Sequence, residues 1–311
     1  MRYSKTKYIL TCIGFIVCLL CQILIILFWE NTKYWTILNL IIFLVVTLAY
    51  AAYRFFEMTH AESKKIMQFP SNMGVSLVTV KAISHLPLSV QKWLRKSQVI
   101  DKHHLHFVQL KQKGEMRTKP NAPWMPFIAN QYFNTIETSF VWIANVTMFP
   151  FIQLYGCDKL IKGKGAMLIK LAALMAVVKV KETDKINSAA MIRYLAEICW
   201  FPTAALHPSI VWEAINATSA KATFTIKNRT VSGIFNFSEE GEIMSFEAER
   251  FYGNTTDATL EKWHVEIVSH KEFNGIRIPN KSHVIWKLKE GDFHWLTVEI
   301  TDINYNTTKM N

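Results

Sequence analysis

Two long apolar runs near the N-terminus constrain the fold of this chain more than any other feature. Residues 8–28 contain no charged side chain over 21 positions, and a second uncharged run, 35–53, ends just before Arg54. At a rise of about 1.5 Å per residue, a helix of such length spans about 30 Å, the thickness of the hydrocarbon core of a bilayer. Because backbone polar groups in lipid need internal partners, both runs are predicted to be transmembrane helices.

The short connector 29–34 predicts that the two helices form an antiparallel hairpin. A cleaved signal peptide is the alternative, but the first run is too long for one and no small-residue cleavage site follows it. Lys and Arg near the helix ends number three before the hairpin, one in the connector and three after it. Because cytoplasmic flanks are enriched in these residues, the pattern predicts a multi-pass protein of the cell membrane with both ends in the cytoplasm. The residues counted are Arg2, Lys5 and Lys7, then Lys33, then Arg54, Lys64 and Lys65.

Basic residues are concentrated after the apolar runs. Residues 81–119 contain nine Lys or Arg against two acids, Asp101 and Glu115, so this stretch supplies +7 of the net charge of +11. Such a stretch beside a membrane suits an anionic lipid bilayer as partner, and the alternative is a solvated basic surface. No nucleic-acid motif accompanies the charge, so no nucleic-acid partner is predicted.

The rest of the chain has the period of β-strands. Val284, Trp286 and Leu288 alternate with His283, Ile285, Lys287 and Lys289, and Asn274-Gly275 is typical of a tight hairpin turn. One helix, capped at Asn187 or Ser188 and ended by Pro202, is predicted to cover the sheet. The predicted fold class is therefore α+β, with a helical hairpin followed by a curved, mostly antiparallel sheet. The predicted divisions are 1–56 for the anchor, 57–100 for a connector with an amphipathic helix, and 101–311 for the β-rich domain.

The connector helix is expected to start near Pro87. Val90, Trp93 and Leu94 form its apolar stripe, and Gln91, Lys92, Arg95 and Lys96 lie opposite. Such a helix can lie on the bilayer or pack on the β domain. Packing is favoured because the stripe is short.

Several phrases resemble an uncharacterised bacterial family of unknown function over roughly residues 80–305. They include GEMR at 114–117, WMPF at 124–127, RYLAEICWFPTA at 193–204 and FNGIRIP at 273–279. That resemblance implies no activity. The order of strands is also loosely similar to lipoprotein-carrier domains, whose curved sheet wraps helices around an apolar cavity, and this second likeness concerns architecture alone.

One group of residues is the candidate binding site. Arg193 and Glu197 are four apart on the predicted helix, so they share a face and can pair. They either tie the helix to the sheet or stand at the mouth of a pocket with Asp158 and Arg250. Aromatic residues would line such a pocket, although aromatic residues on strands are also common in cores. These candidates are Tyr132, Trp142 and Trp200.

The sequence gives little support for metal binding, cofactor binding or catalysis. His104 and His106 share a strand face, but no third ligand is fixed by spacing, so no metal and no cofactor are predicted. Catalytic motifs are missing, and Cys157 and Cys199 are expected to be free thiols. The favoured function is a membrane-anchored binding domain for an apolar or lipid-like ligand. A scaffold for a membrane protein partner and an enzyme acting on lipid-like or envelope substrates through Asp158, Glu197 or a histidine are the alternatives.

Overall fold

Two N-terminal helices pack as an antiparallel hairpin, as predicted. The structure, a computed structural model, describes residues 2–68, 76–150, 152–253 and 257–307. Helix α1 spans Arg2–Leu27, a short helix α2 spans Trp29–Thr32, and α3 spans Trp35–Ile66. Both long helices contain stretches apolar and long enough to cross a membrane, with mean hydropathies of 2.9 and 2.1 over 18 residues.

Close contacts hold the hairpin together. Gly14 lies so near Val46 that an added Cβ would meet that side chain at 3.0 Å. Asn39 donates from its amide to the carbonyl of Cys18 (3.0 Å) and to Gln22 Oε1 (2.8 Å). The amide donors of Asn39 are therefore satisfied between the helices, while most other side chains of the hairpin are apolar and exposed.

Thirteen strands of the described residues form one antiparallel sheet. The first six strands are neighbours in chain order, the last seven are likewise, and β1 pairs with β13 at the centre. The alternation of inward and outward side chains follows the predicted period. The strands are β1 Phe107–Met116, β2 Met125–Asn134, β3 Ser139–Phe149, β4 Ile152–Ile161, β5 Lys164–Leu171, β6 Met175–Val180, β7 Ile210–Asn216, β8 Ser219–Ile226, β9 Arg229–Phe237, β10 Ile243–Tyr252, β11 Thr259–Phe273, β12 Ile276–Leu288 and β13 Gly291–Tyr305.

The sheet curls around the covering helix. Helices α4 (Val80–Ile83) and α5 (Leu88–Lys96) precede the sheet, and α6 (Asp184–Glu197) joins its two halves. Helix α6 contacts β4 and β5 on one flank and β8, β9 and β10 on the other. Because these strands are far apart in the sheet order, the sheet must bend into a half-barrel with α6 on its inner face. Two 3-10 turns, Ile198–Trp200 and Pro202–Leu206, follow α6.

Helix α6 begins earlier than the sequence predicted. The predicted caps were Asn187 and Ser188, but the cap is Thr183, whose hydroxyl accepts from the backbone N–H of Ile186 (3.2 Å). Asn187 instead uses its side-chain oxygen to accept from the backbone N–H of Gly165 (2.6 Å), so it fixes the helix to β5. A polar residue suited to capping serves here as a tertiary contact.

Helix α5 packs on the sheet rather than standing apart from it. Val90, Trp93 and Leu94 are buried, as the apolar stripe predicted. The Trp93 ring stacks on Phe235 of β9, with centroids 6.1 Å apart. The stripe is therefore used within the domain, as the favoured alternative stated.

The end of α3 covers the opposite, outer face. The sequence assigned residues after 56 to a connector, whereas α3 continues without a break to Ile66. Phe55, Thr59 and Ser63 of this continuation are buried against β2, β3 and β4. The helix was missed because two of its buried positions are hydroxyl residues, which satisfy their side chains on the helix's own carbonyls.

Local predictions of turn and thiol state are confirmed. The Asn274-Gly275 turn has positive φ at both residues, 51° and 73°, as a type I′ hairpin requires. Cys157 and Cys199 are free and buried. Burial raises the pKa of the Cys157 thiol to about 12, with Glu62 adding to the effect, and burial likewise raises the pKa of Cys199.

Candidate functional site

The polar residues of the candidate site converge because alternate strand positions share the inner face. Trp142 on β3 lies opposite Asp158 on β4 on one side and opposite Gln131 on β2 on the other. Helix α6 crosses this face and projects Arg193 and Glu197, four residues apart, toward the same strands. The helix and three strands therefore supply one cluster.

Five hydrogen bonds link the cluster from α6 to β1. Arg193 donates from Nη1 to Asp158 Oδ2 (2.6 Å) and from Nε to Glu197 Oε1 (2.8 Å). Glu197 Oε2 accepts from Gln131 Nε2 (2.8 Å). Gln112 then donates to Gln131 Oε1 (3.1 Å) and accepts from the indole N–H of Trp142 (2.7 Å). Each amide thus donates and accepts once, so the bonds from Trp142 through Gln112 and Gln131 run in one direction and end on Glu197, while Arg193 donates to both carboxylates.

Burial and ion pairing shift the pKa values of Glu197 and Arg193 in opposite directions. Burial raises the pKa of Glu197, and the cation of Arg193 together with the Gln131 hydrogen bond partly offsets this. For Arg193, burial lowers the pKa, but Glu197 and Asp158 outweigh it and the net shift is upward. Both oxygens of Glu197 accept hydrogen bonds, so the network fits the ionised carboxylate. The Arg193 cation also lies over the Trp142 ring, 4.9 Å from its centroid.

Arg250 stands beside this cluster without a carboxylate of its own. Its guanidinium lies over two tryptophans, 4.8 Å from the ring of Trp263 and 5.6 Å from that of Trp286. Its Nε donates to the carbonyl of Ala189 (3.1 Å). Within the described residues, no acidic group lies within ion-pair distance. Burial lowers the pKa of Arg250 to about 10; the charge of Asp158 opposes this and that of Arg193 adds to it.

Two of the seven predicted residues lie away from this cluster. Tyr132 is adjacent to Gln131, so the two-residue period turns it to the outer face, where it packs with Phe55 and Ile66 of α3. Trp200 is buried in the first 3-10 turn, and its carbonyl accepts from the Tyr305 hydroxyl (2.9 Å). The other five come together as the sequence suggested: Trp142, Asp158, Arg193, Glu197 and Arg250.

Four residues of the cluster were missed in the sequence. Gln112 and Gln131 occupy inward positions on otherwise apolar faces, and a buried amide at such a position signals a polar network. Trp263 and Trp286 lie opposite each other in the β11–β12 pair, which places both rings beside Arg250. Their pairing follows from register, and single-strand periodicity does not reveal it.

An open cleft lies elsewhere on the domain. It measures about 600 Å³, and its walls include Lys102, Leu105, Ile276 and Tyr305. Nearby, the rings of His104 and His106 stack at 5.9 Å, and burial lowers the pKa of both. Across the described ranges, no three His, Cys, Asp or Glu residues are grouped to hold a metal ion.

Comparison with known proteins gives one family and two distant folds. Residues 84–305 match a family described as a family of unknown function, DUF6920. A DUF1329 family protein from Desulfovibrio piger has 9% identity and a TM-score of 0.43, covering 73% of this chain and 95% of its own. A putative outer membrane lipoprotein-sorting protein domain from Vibrio parahaemolyticus has 8% identity and a TM-score of 0.41. The match covers 66% of this chain and 87% of that domain. No curated protein matches. With identities and TM-scores this low, neither structure indicates a function for this chain.

Proposed function

Because the chain belongs to the DUF6920 family of unknown function, whose description names no activity, we propose a function from the geometry of its inner face. The proposal is a membrane-anchored domain that binds an amphiphilic, lipid-like ligand inside the curled sheet. The ligand's anionic group would meet Arg250, and its apolar part would lie along the aromatic and aliphatic side chains of the same face. Arg250 is the observation that carries this proposal.

An unpaired guanidinium in a largely buried place is costly. Moving such a cation out of water costs several kcal/mol, which a partner of opposite charge normally offsets. The two tryptophan rings offset part of this cost, at about 2 kcal/mol for a desolvated cation. Only one of the five guanidinium N–H donors has a hydrogen bond among the described residues, and Arg250 keeps some exposure to solvent. A phosphate or carboxylate is the chemistry that would satisfy the rest.

The neighbouring carboxylates do not fill this role. Asp158 and Glu197 are both engaged by Arg193 at 2.6 and 2.8 Å. One guanidinium balances only one of the two carboxylates, and their remaining charge acts on Arg250 at longer range. Among the described residues, however, no carboxylate lies within ion-pair distance of Arg250. Arg193 is thus used within the domain, whereas the planar donor fork of Arg250 remains available to a phosphate or carboxylate.

Apolar side chains beside the cluster suit the tail of an amphiphile. Trp142, Met148, Leu154 and Leu296 are partly exposed, and they pack against a buried apolar group on the inner face. The buried group consists of Met125, Phe127, Ala129, Ala144, Val146 and Val298. A largely apolar surface with a few placed charges is the usual composition of a small-molecule site.

The N-terminal hairpin would place this site at its source of ligand. Two exposed apolar helices in tandem suit insertion into a bilayer. The count of flanking Lys and Arg favours a cytoplasmic position for the β domain. A cysteine introduced at exposed Ile215 would test the side, because a membrane-impermeant maleimide would label it only from outside the cell if the domain lies there.

Native mass spectrometry of the full-length protein, followed by lipid extraction, tests the binding proposal. We expect an anionic amphiphile to co-purify with the wild type and to be lost from Arg250→Gln. Arg229→Gln is the matched control, because Arg229 already pairs with Asp184, an exposed carboxylate at the first residue of α6. A protein partner recovered without lipid, or equal lipid content in all three proteins, would refute the proposal.

A further inference from the structure

We propose that two hairpin turns of the sheet insert into the bilayer beside α3. The turns are β3–β4, flanked by Phe149 and Ile152, and β5–β6, with Leu174 and Met175; together these four residues are named the tip cluster. The inference rests on the proposed membrane anchoring, and it adds a second contact between the β domain and the lipid. It does not depend on which ligand the inner face binds.

Exposure of large apolar side chains is the first observation. Phe149 is 58% exposed, Ile152 42%, Leu174 49% and Met175 59%. Contiguous apolar surface of this kind marks an interaction site in soluble domains. The two turns adjoin each other, because the backbone N–H of Ala172 donates to the carbonyl of Gln153 (2.8 Å). The tip cluster is therefore one patch formed by two turns.

The direction of α3 shows where this patch lies. Phe55 contacts the ring of Tyr155 on β4, with centroids 5.7 Å apart. Seven residues later, Glu62 pairs with Lys159 of the same strand (2.6 Å). The helix advances roughly 10 Å between these contacts and the strand roughly 13 Å, so the two run nearly parallel and in the same direction.

Following β4 and α3 towards their N-terminal ends places the tip cluster at the level of the apolar run 35–53. Ile152 lies three residues before Tyr155, about 10 Å along the strand. The same distance on α3 takes roughly six to seven residues before Phe55, which reaches about residue 49. The apolar run ends at Tyr53, so the turns would lie roughly 6 Å inside its boundary, within the depth at which interfacial apolar side chains are buried.

A buried alanine gives independent support for this position. Ala173, in the β5–β6 turn, is 2% exposed and belongs to the same apolar cluster as Phe55. Ala51 and Ala52, which lie inside the apolar run, pack against that cluster. The second turn is therefore already seated against the part of α3 that would enter the membrane.

Charge near the patch suits an anionic lipid surface. Arg54 follows the apolar run directly and is exposed. Lys170 lies near the end of β5, just before the β5–β6 turn. Lys179 is exposed on β6, the strand at the edge of the sheet. Cations placed just outside an inserted apolar patch are attracted to anionic headgroups. The bilayer is accordingly the occupant that the patch fits.

Fluorescence quenching in liposomes tests the inference. The full-length protein carries an environment-sensitive probe on a single introduced cysteine, with Cys12 and Cys21 replaced by serine, in vesicles of phosphatidylcholine and phosphatidylglycerol. Leu174→Cys reports on the tip cluster. Leu27→Cys, in the hairpin, reports on the anchor, and Ile136→Cys, in the turn at the opposite end of β3, is the exposed control.

We expect the Leu174 probe to show blue-shifted emission and quenching by lipids with a nitroxide near the headgroup, while the Ile136 probe shows neither. If the Leu27 probe is quenched and the Leu174 probe is not, the insertion is overturned although the anchor stands. If neither is quenched, the membrane anchoring itself fails. Phe149→Cys repeats the measurement on the first turn, and an unquenched but blue-shifted signal there would indicate a protein cover and also overturn the inference.

Discussion

Replacing Arg193 with methionine tests whether the buried charge cluster holds the domain together. The change keeps an extended side chain but removes the cation between Asp158 and Glu197, whose side chains are 11% and 10% exposed. Removing one member of a buried ion pair leaves an uncompensated charge and costs about 3–5 kcal/mol. For a domain of this size each kcal/mol shifts the melting temperature by about 2–4 °C, so we expect a fall of roughly 10 °C.

Two comparison variants separate the charge effect from a general loss of packing. Arg250→Met removes a cation that no described carboxylate pairs with, so it should cost less than about 1 kcal/mol in the absence of ligand. Combining Arg193→Met with Asp158→Asn and Glu197→Gln removes the three charges of the ion-pair network and leaves Arg250 in place. This triple variant should recover a large part of the lost stability, because neither carboxylate of the network is left as an uncompensated charge.

The pH dependence gives the same reasoning a second readout. The pKa of Glu197 is raised in the folded state, chiefly by burial, and is ordinary when unfolded. Between those two values the folded protein binds more protons, so this group's contribution to stability increases as pH falls from above the folded pKa towards the ordinary value. Glu197→Gln should remove that contribution.

Chemical denaturation of the full-length protein in mild detergent, followed by tryptophan fluorescence, measures each free energy of unfolding. The ten tryptophans include Trp142, Trp263 and Trp286 around the cluster, so the signal reports on this region. A cost below about 1 kcal/mol for Arg193→Met would refute the reasoning. Equal losses for Arg193→Met and Arg250→Met would refute it as well, since the two arginines would then have the same role.

Three further predictions concern other parts of the structure. Gln131→Leu should lower the unfolding free energy by about 1–3 kcal/mol, because one Glu197 oxygen loses its donor, and a smaller loss in denaturation would argue against the network. Gly114→Ala should destabilise β1 because its Cβ would lie 2.0 Å from a backbone oxygen, whereas Gly156→Ala meets only ordinary contacts, and melting temperatures compare the two. Cys157 should react with iodoacetamide only on unfolding, since burial raises its pKa to about 12, and rapid labelling of the native protein would contradict that placement.

Much of the fold could be predicted from the sequence because it depends on local periodicity. The uncharged runs predict the two helices, and alternation of the kind seen at Val284, Trp286 and Leu288 predicts the strands. The phrases around 193–204 correctly indicated a family of unknown function over nearly the matched range. Each of these signals lies within a short window, where side-chain period alone decides the face.

The composition of the candidate site depends on contacts that no local window contains. Arg193 and Glu197 were found because they are four apart on one helix, but Gln131 and Gln112 join them only through the register of β1 with β2. Tyr132 was misplaced for the same reason, since its face is set by the alternation that places Gln131 inward. The continuation of α3 was hidden because Thr59 and Ser63 give its buried stripe a polar composition.

The pairing of β1 with β13 has a consequence for how the protein is made. Val108 lies opposite Tyr305, about 200 residues later in the chain, so the central pair of the sheet cannot form until β13 has left the ribosome. Until then β1 offers an open edge of unpaired backbone groups, the kind of edge that promotes aggregation. The helical hairpin precedes β1 in the chain, and the membrane insertion proposed above would keep each nascent chain apart from its neighbours until β13 pairs with β1.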